Sequence, residues 1–294
     1  MIIDSHAHYA FPRFDTEFSC LDGTTDPYTV RRTDRESLLA EMRRHGIIGF
    51  IEAGIDPEST ERQFAFVDAH TAYMRGSVGF HPTRCIHSPL SRRADVTACA
   101  EKHAPIAIGE TGLDYHYPRN KQRRLRQKRW FAFQLRLAHE RNLPLILHIR
   151  DAHKDALRIL RKHEHILHGG VVHCFRGDAA TAEAYVGLGF ALGIGGRLLG
   201  NDEDARTLCE AVRHIPLSSI LVETDAPYVL PDISDVACSN KQRRKLCNSS
   251  LILPAVIRKI AELRGEDAQH VETVIFQNTL RIFPMPLEGG IPHA

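Results

Sequence analysis

Eight short and almost continuously apolar runs recur along the chain, and they constrain its fold more than any other feature. Each run spans five to seven residues, which is too short for a typical helix, and valine and isoleucine are common in them. Apolar continuity, rather than alternation, is typical of strands buried on both faces of a parallel sheet. The runs are Met1–Ser5, Ile47–Ala53, Gly76–Phe80, Pro105–Gly109, Pro144–Ile149, Gly170–Phe175, Phe190–Ile194 and Ser219–Glu223.

Amphipathic stretches with helical periodicity, such as Asp34–His45 and Gln122–Arg141, separate these runs. A chain of 294 residues could contain two average domains or one barrel of about 250 residues. Because eight strand-and-helix units follow one another, the pattern favours an α/β fold of the (β/α)8 TIM-barrel type. We therefore predict one barrel domain over residues 1–284 and a short C-terminal tail, 285–294.

Two segments interrupt the repeat. Tyr9–Thr33 follows the first run without clear periodicity, and Pro231–Asn248 follows the eighth and contains a basic cluster. We predict that both are extended loops, after strands 1 and 8. Long loops in compact domains are often functional, and loops that follow barrel strands lie on the active face.

Composition excludes several classes of protein. Lysine and arginine exceed aspartate and glutamate by only two residues, so no global charge indicates an acidic partner. The seven cysteines are odd in number, irregularly spaced and without a C-x-x-C pair, which argues against a disulfide framework or a cysteine-type zinc site. The N-terminus lacks the pattern of a secretory signal, and no run reaches the length of a membrane helix. We therefore expect a cytoplasmic protein with no membrane association.

Polar side chains with metal-binding groups stand at or just beyond the ends of five of the predicted strands. Because the carboxyl ends of barrel strands converge on one face, these side chains can meet there. Imidazoles and carboxylates together suit a divalent metal ion. The six residues are His6, His8, Glu110, His148, His173 and Asp225.

Six ligands exceed the three protein ligands that one catalytic zinc ion usually takes, so the set predicts two divalent ions, Mg, Mn or Zn. The two histidines of the first strand would share one ion with Asp225, because strands 1 and 8 are neighbours in a closed barrel. His148 and His173 would hold the other, and Glu110 would bridge the two. Such a pair can clamp a phosphodiester for in-line attack by water, with Asp225 as general base. Glu110 and Asp225 are thus the predicted catalytic residues.

Six motifs in the chain together resemble those of the TatD-type DNases, which are metal-dependent hydrolases of the amidohydrolase superfamily. The motifs run in order between about residues 3 and 283. They are Asp-Ser-His-Ala-His (4–8), Gly-Phe-His-Pro (79–82), Ile-Gly-Glu-Thr-Gly-Leu-Asp-Tyr (108–115), Leu-His-Ile-Arg-Asp-Ala (147–152), Val-His-Cys-Phe-Arg-Gly (172–177) and Val-Glu-Thr-Asp-Ala-Pro-Tyr (222–228). The resemblance implies a TIM barrel with a two-ion site, in which the six residues above match the family's metal ligands. It also implies hydrolysis of DNA phosphodiester bonds, as a 3′–5′ exonuclease on single strands.

Further residues in these motifs are candidates for substrate binding. His81 matches the family's His-Pro and could contact a phosphate or a leaving group. Arg150, two residues past His148, could hold a phosphate oxygen or form a salt bridge. Glu223 could orient a metal ligand, and Asp114 and Tyr115 could position the substrate.

One segment departs from the family pattern. The family's Arg-Asn-Glu-Pro is replaced here by the residues 247–250, Cys-Asn-Ser-Ser, in which only Asn248 is retained as a candidate substrate contact. The segment after His8 is also longer than is usual in the family. These departures suggest either an altered substrate or a protein partner that docks over the extended loops.

Two alternative functions stay open on the sequence alone. The same metal site could serve an acyl hydrolase, such as a D-aminoacyl-tRNA deacylase, since some relatives have been assigned that activity. The chain could also be a nuclease-like component of a multi-protein assembly, as in anti-phage defence systems that contain members of the family.

Overall fold

The computed structural model describes residues 1–25, 28–70, 74–116, 120–234, 236, 238–283 and 285. Strands and helices alternate along this part of the chain, as the sequence predicts. The strands are β1 (Ile2–Ala7), β2 (Phe18–Asp22), β3 (Thr29–Thr33), β4 (Ile47–Glu52), β5 (Met74–Gly76), β6 (Ile108–Asp114), β7 (Leu145–Arg150), β8 (Gly170–His173), β9 (Phe190–Ile194) and β10 (Ile220–Val222). The α-helices are α1 (Arg35–Arg44), α2 (Pro57–Asp68), α3 (Pro82–Cys85), α4 (Arg93–His103), α5 (Lys121–Glu140), α6 (His153–Lys162), α7 (Ala179–Val186), α8 (Glu203–His214), α9 (Asn240–Arg243), α10 (Leu253–Arg264) and α11 (Ala268–Ile282).

The strands that correspond to the eight apolar runs belong to two sheets. One sheet has the order β10-β9-β8-β7-β6, and the other has the order β1-β4-β5. Isolated parallel bridges extend them, from Ala7 to Ala226 and from Val78 to Ile108. This is the neighbour order of a (β/α)8 barrel, and it confirms the predicted α/β fold class.

Two of the predicted strands differ in position from the observed ones. The third run is predicted at Gly76–Phe80, whereas β5 ends at Gly76. Beyond it, Gly79 lies directly against the backbone of Gly109, and the pairing with β6 is reduced to an isolated bridge at Val78. The fourth is predicted to end at Gly109, whereas β6 continues to Asp114. Buried polar residues continue that strand, so apolar continuity alone underestimates it.

The prediction of an irregular loop after β1 is wrong for part of the segment. Strands β2 and β3 form an antiparallel hairpin, in register from Phe18 opposite Thr33 to Asp22 opposite Thr29. The Arg31 guanidinium covers the Asp22 carboxylate through two hydrogen bonds, of 2.7 and 3.0 Å. Strand β3 is mostly polar and only partly buried, so it lacks the continuous hydrophobicity that identifies the other strands. The segment after β10 contains the short helix α9, and residues 235 and 237 lie outside the described part.

The chain divides into two compact units, each built from separate stretches of sequence. The first unit comprises residues 1–50, 174–183 and 192–279, and the second comprises residues 51–173, 184–191 and 280 onward. The single domain and the separate tail stay predictions, and residues 286–294 of that tail lie outside the described residues.

Two further findings concern the compartment and the membrane. All seven cysteines are free thiols, and Cys20, Cys85 and Cys247 are buried. In the part of the chain that the structure describes, no helix combines the length and the apolar character needed to cross a membrane.

Candidate metal centre

Strand β1 and the turn after β10 bring together three candidate ligands in the first unit. His6 and His8 are two residues apart, so their side chains share one side of the extended chain. Two backbone hydrogen bonds hold the neighbouring segment alongside, from Asp225 N–H to the His6 carbonyl (2.9 Å) and from His8 N–H to the Ala226 carbonyl (2.8 Å). This pairing places Asp225 beside both imidazoles.

The ligand atoms of these three residues, here called the His6 cluster, are close together. The two Nε2 atoms of His6 and His8 are 3.3 Å apart, and Oδ1 of Asp225 is 3.6 Å from the first and 3.3 Å from the second. The His6 side chain is fully buried, whereas that of Asp225 is 16% exposed. The cluster therefore combines two buried imidazoles with one carboxylate that solvent reaches.

Asp4 braces the backbone segments that carry the His6 cluster, and sequence reasoning assigned it no role. Its carboxylate accepts hydrogen bonds from the backbone N–H groups of His6 and Thr224, both at 3.1 Å. The hydroxyls of Thr224 and Ser250 donate to its other oxygen at 2.5 and 2.7 Å. Burial raises the pKa of Asp4 to about 7 against the opposing effect of these hydrogen bonds. Asp4 thus ties β1 to the turn after β10.

A second group of ligand atoms, here called the Glu110 cluster, is formed by strands β6, β7 and β8 of the second unit. The parallel register pairs His148 with His173 and with Gly112, two residues after Glu110. Oε1 of Glu110 lies 3.3 Å from Nδ1 of His148 and 3.1 Å from Nε2 of His173, and these two nitrogens are 3.2 Å apart. The three atoms form an almost equilateral triangle.

Both clusters fit a divalent metal ion by the chemistry and spacing of their donors. Ligands about 2.0–2.1 Å from a zinc ion at tetrahedral angles lie about 3.3 Å from one another. The separations of 3.1–3.6 Å in the two clusters agree with that value. Each cluster offers two imidazole nitrogens and one carboxylate oxygen, a donor set that Zn and Mn accept.

Asp114 contacts a candidate ligand of the Glu110 cluster. Its Oδ2 lies 3.2 Å from Nε2 of His148, on the side of the ring opposite the triangle. Gln127 holds the Asp114 backbone in place, accepting from its N–H at 3.1 Å and donating to its carbonyl at 2.8 Å. Burial acts to lower the pKa of His148, but hydrogen bonds to Asp114 and Glu110 outweigh it and raise that pKa. Burial acts to raise the pKa of Asp114, but the hydrogen bond and charge of His148, together with the His116 N–H and the Arg150 charge, lower it.

His81 lies against the Glu110 cluster from the start of helix α3. Its Nε2 is 3.6 Å from Oε1 of Glu110, and its ring centroid is 4.3 Å from that of His148. Its Nδ1 accepts a hydrogen bond from the Thr83 N–H and so caps the helix. Burial, reinforced by the neighbouring imidazoles, lowers the pKa of His81 to about 3. The ring is therefore neutral.

The other predicted contacts in the second unit have different surroundings. Arg150 ends β7, is half-buried and pairs in register with Asp114. The Tyr115 hydroxyl donates to Asp155 at 2.8 Å, and the Arg124 guanidinium lies 4.3 Å from the Tyr115 ring centre. Lys128 also pairs with Asp155, at 2.6 Å. The tyrosine hydroxyl is thus engaged in a network of charged side chains.

Two predicted residues of the first unit are buried in structural contacts. The Glu223 carboxylate accepts a hydrogen bond from the Cys174 N–H and lies against Gly193, where no Cβ would fit. Asn248 is fully buried, and its amide donates to the carbonyls of Thr224 (2.9 Å) and Val229 (3.0 Å). These contacts assign Asn248 to holding the turn that carries Asp225.

The segment that departs from the family pattern is also internal. Ser249 and Ser250 are fully buried. The Ser249 hydroxyl donates to the Leu21 carbonyl at 2.9 Å, and the Ser250 hydroxyl lies 2.9 Å from that of Tyr9. The departure at these two positions therefore lies in buried contacts of the first unit.

We expect the substitution Asn248→Ala to lower the free energy of unfolding by about 2–6 kcal/mol, because it leaves two carbonyls without their donor at about 1–3 kcal/mol each. Denaturant unfolding measures this loss, and the exposed Asn201→Ala is the matched control. A raised KM for nucleic acid with unchanged stability would instead assign Asn248 to substrate binding.

Comparison with known proteins places the chain among enzymes that act on nucleic acids. The model of the family described as TatD-related DNase matches residues 3–284. A curated 3′-5′ ssDNA/RNA exonuclease TatD from Pectobacterium parmentieri is 33% identical over 254 residues, which cover 85% of this chain and 93% of the relative. The protein of the same name from Cronobacter sakazakii is 34% identical over 250 residues, with 85% and 92% covered. A crystal structure of a TatD homologue from Escherichia coli K12 superposes with a TM-score of 0.77 at 26% identity, covering 97% of this chain and 98% of that one.

Proposed function

The chain belongs to the TatD-related DNase family, and from that membership we propose that it is a 3′–5′ exonuclease on single-stranded DNA that uses two divalent ions. The observation that carries the proposal is the pair of clusters described above. Each unit contributes two imidazole nitrogens and a carboxylate oxygen at separations that fit one ion.

We assign one ion to each cluster. His6, His8 and Asp225 would hold the first, and Glu110, His148 and His173 the second. Bound divalent ions acidify water and stabilise the charge that develops on a phosphodiester, which is the chemistry the reaction needs.

The side chains of the chain perform the remaining tasks. Asp225 accepts a proton from the attacking water, since its carboxylate reaches solvent whereas Asp4 behind it is buried. His81 is neutral, so its Nε2 can share a hydrogen bond with a phosphate oxygen or a leaving group. Arg150, at the end of β7, supplies a permanent positive charge for a phosphate oxygen.

Asp114 is a positioning residue in this proposal, because it contacts His148 on the face away from the other ligand atoms. Replacing it with asparagine should lower the affinity of the Glu110 cluster for Mn²⁺ by about 10- to 100-fold, as for other carboxylates that orient a histidine ligand. Competition with a chelator measures that affinity, and the exposed Asp95→Asn serves as control. Unaltered Mn²⁺ affinity in Asp114→Asn contradicts the positioning role.

The direct test of the function is digestion of single-stranded and double-stranded DNA labelled at the 5′ or the 3′ end, with Mg²⁺, Mn²⁺ or Zn²⁺. We expect 5′-labelled single strands to shorten progressively in a metal-dependent manner. On strands that carry the label at the 3′ end, the label should be released at once as a mononucleotide. Internal cuts without progressive shortening would exclude exonuclease action, and a matched RNA strand tests the second substrate that the relatives' name gives.

The curated relatives described above are named exonucleases, and nothing in the two clusters favours an aminoacyl-tRNA over a phosphodiester. The comparisons do not support a protein partner. A cytoplasmic location stays our proposal, which the free cysteines suit.

A further inference from the structure

Three aromatic rings stand together at the edge of the His6 cluster. The Phe11 ring stacks on the His8 imidazole, with centroids 4.6 Å apart and planes inclined by 21°. The Tyr228 ring stands edge-on to both, 6.3 Å from His8 and 6.2 Å from Phe11. The Tyr228 side chain is 51% exposed, and Phe11 is half-buried. The group therefore presents aromatic surface to solvent directly beside a proposed metal ligand.

Backbone hydrogen bonds order the turns that carry both rings. Phe11 N–H donates to the His8 carbonyl at 3.2 Å, so the turn that carries Phe11 begins directly at the candidate ligand His8. Tyr228 N–H donates to the Asp225 carbonyl at 2.7 Å, and Asn248 braces the same turn through its bond to Val229. Each ring thus follows a candidate ligand by three residues on an ordered turn. An aromatic side chain held in this way needs little further ordering to bind a flat ligand.

Basic side chains stand in the segments that follow both rings. Arg13, two residues after Phe11, donates from its guanidinium to the Lys245 carbonyl at 2.8 Å and to Cys247 Sγ at 3.0 Å. These contacts join the turn of Phe11 to the loop after β10, in which Lys241, Arg244 and Lys245 are exposed. Cationic side chains beside an aromatic surface are the combination that binds single-stranded nucleic acid, with bases on the rings and phosphates near the charges.

We propose that Tyr228, with Phe11 standing edge-on beside it, stacks an unpaired base of one of the two 3′-terminal nucleotides while the adjacent phosphodiester lies at the His6 cluster. This inference rests on the proposed nuclease function and adds a determinant of its preference for single strands. A base inside a duplex is covered on both faces by its neighbours, so only an unpaired or frayed end can occupy the rings. Stacking is tolerant of base identity, so the site selects strand state rather than sequence.

Tyr228 is the better position for a test, because Phe11 also packs against the proposed ligand His8 and its removal could disturb metal binding. Tyr228→Ala should raise KM for a single-stranded oligonucleotide by about 5- to 150-fold, the range expected for the loss of one stacked base. Tyr228→Phe should stay within about twofold of the unaltered protein, because it retains the ring. Thermal unfolding and Mn²⁺ stoichiometry, measured on both variants, report any loss of fold or metal.

The discriminating substrate is the same oligonucleotide with abasic residues at its last two 3′ positions. The unaltered protein should already bind it weakly, and Tyr228→Ala should change its KM by less than about twofold, since there is no base to stack. An equal rise in KM on both oligonucleotides, or no rise on either, overturns the stacking proposal.

A failure of the proposed function is distinguishable from a failure of this inference. If the unaltered protein cleaves neither oligonucleotide, the nuclease assignment fails, and fluorescence anisotropy with the same labelled strands in Ca²⁺ then decides the stacking. Equal affinity of the unaltered protein and Tyr228→Ala for the intact strand would overturn it. A loss of affinity that is specific for the strand with its terminal bases would support it.

Discussion

Replacing Glu110 with glutamine is expected to lower the rate of metal-dependent DNA cleavage by about a thousandfold or more. Its Oε1 faces imidazole nitrogens of His148, His173 and His81 at 3.3, 3.1 and 3.6 Å. A neutral amide of the same shape removes the charge on which this cluster depends for binding a cation. Metal ions supply several kcal/mol of charge stabilisation in such reactions, and each 1.36 kcal/mol is a factor of ten in rate.

The control for this variant is Glu101→Gln, which makes the same chemical change at an exposed carboxylate paired with Arg141. Bound metal, measured on dialysed protein by elemental analysis, should fall by one ion per chain in Glu110→Gln and stay unchanged in the control. Full nuclease activity together with full metal content in Glu110→Gln would remove the Glu110 cluster from the mechanism.

Asp225→Asn is expected to reduce kcat by about 10²–10⁴-fold, the contribution typical of a general base. The carboxylate Oδ1 lies 3.3 Å from Nε2 of His8, so the same change also weakens the first cluster as a metal site. Measuring kcat across a series of Mn²⁺ concentrations separates the two effects, because excess metal restores occupancy but not the base.

Asp232→Asn, an exposed aspartate in the following loop, is the matched control and should retain activity. If saturating Mn²⁺ restores the full kcat of Asp225→Asn, the residue acts as a ligand alone. The general base must then be sought elsewhere in the chain.

The positions of the candidate ligands could be predicted from sequence because each follows a rule of local geometry. Alternation along an extended strand places His6 and His8 on one side, and parallel register places His148 beside His173. The order of neighbours around the strands then brings Asp225 to the first strand. None of these steps requires knowledge of side-chain packing, so the sequence contains enough information to make them.

The roles of the supporting residues could not be predicted in the same way. Asp114 and Asn248 were both candidates for substrate contact, yet their polar atoms are engaged by His148 and by two backbone carbonyls. Asp4 and Ser250 are 246 residues apart in sequence but share a hydrogen bond of 2.7 Å. No short-range pattern reports a partner at that separation.

By itself, the sequence determined the α/β class, the strands of the eight apolar runs and the candidate metal-binding side chains, because hydrophobic periodicity and strand alternation are local properties of the chain. Only the tertiary structure showed that Asp4 and Asp114 brace candidate ligands, since that depends on distances between segments that the fold brings together. The tertiary structure also placed Phe11 and Tyr228 side by side at the His6 cluster. Two aromatic residues 217 positions apart carry no mutual signal until the turns after β1 and β10 place them together.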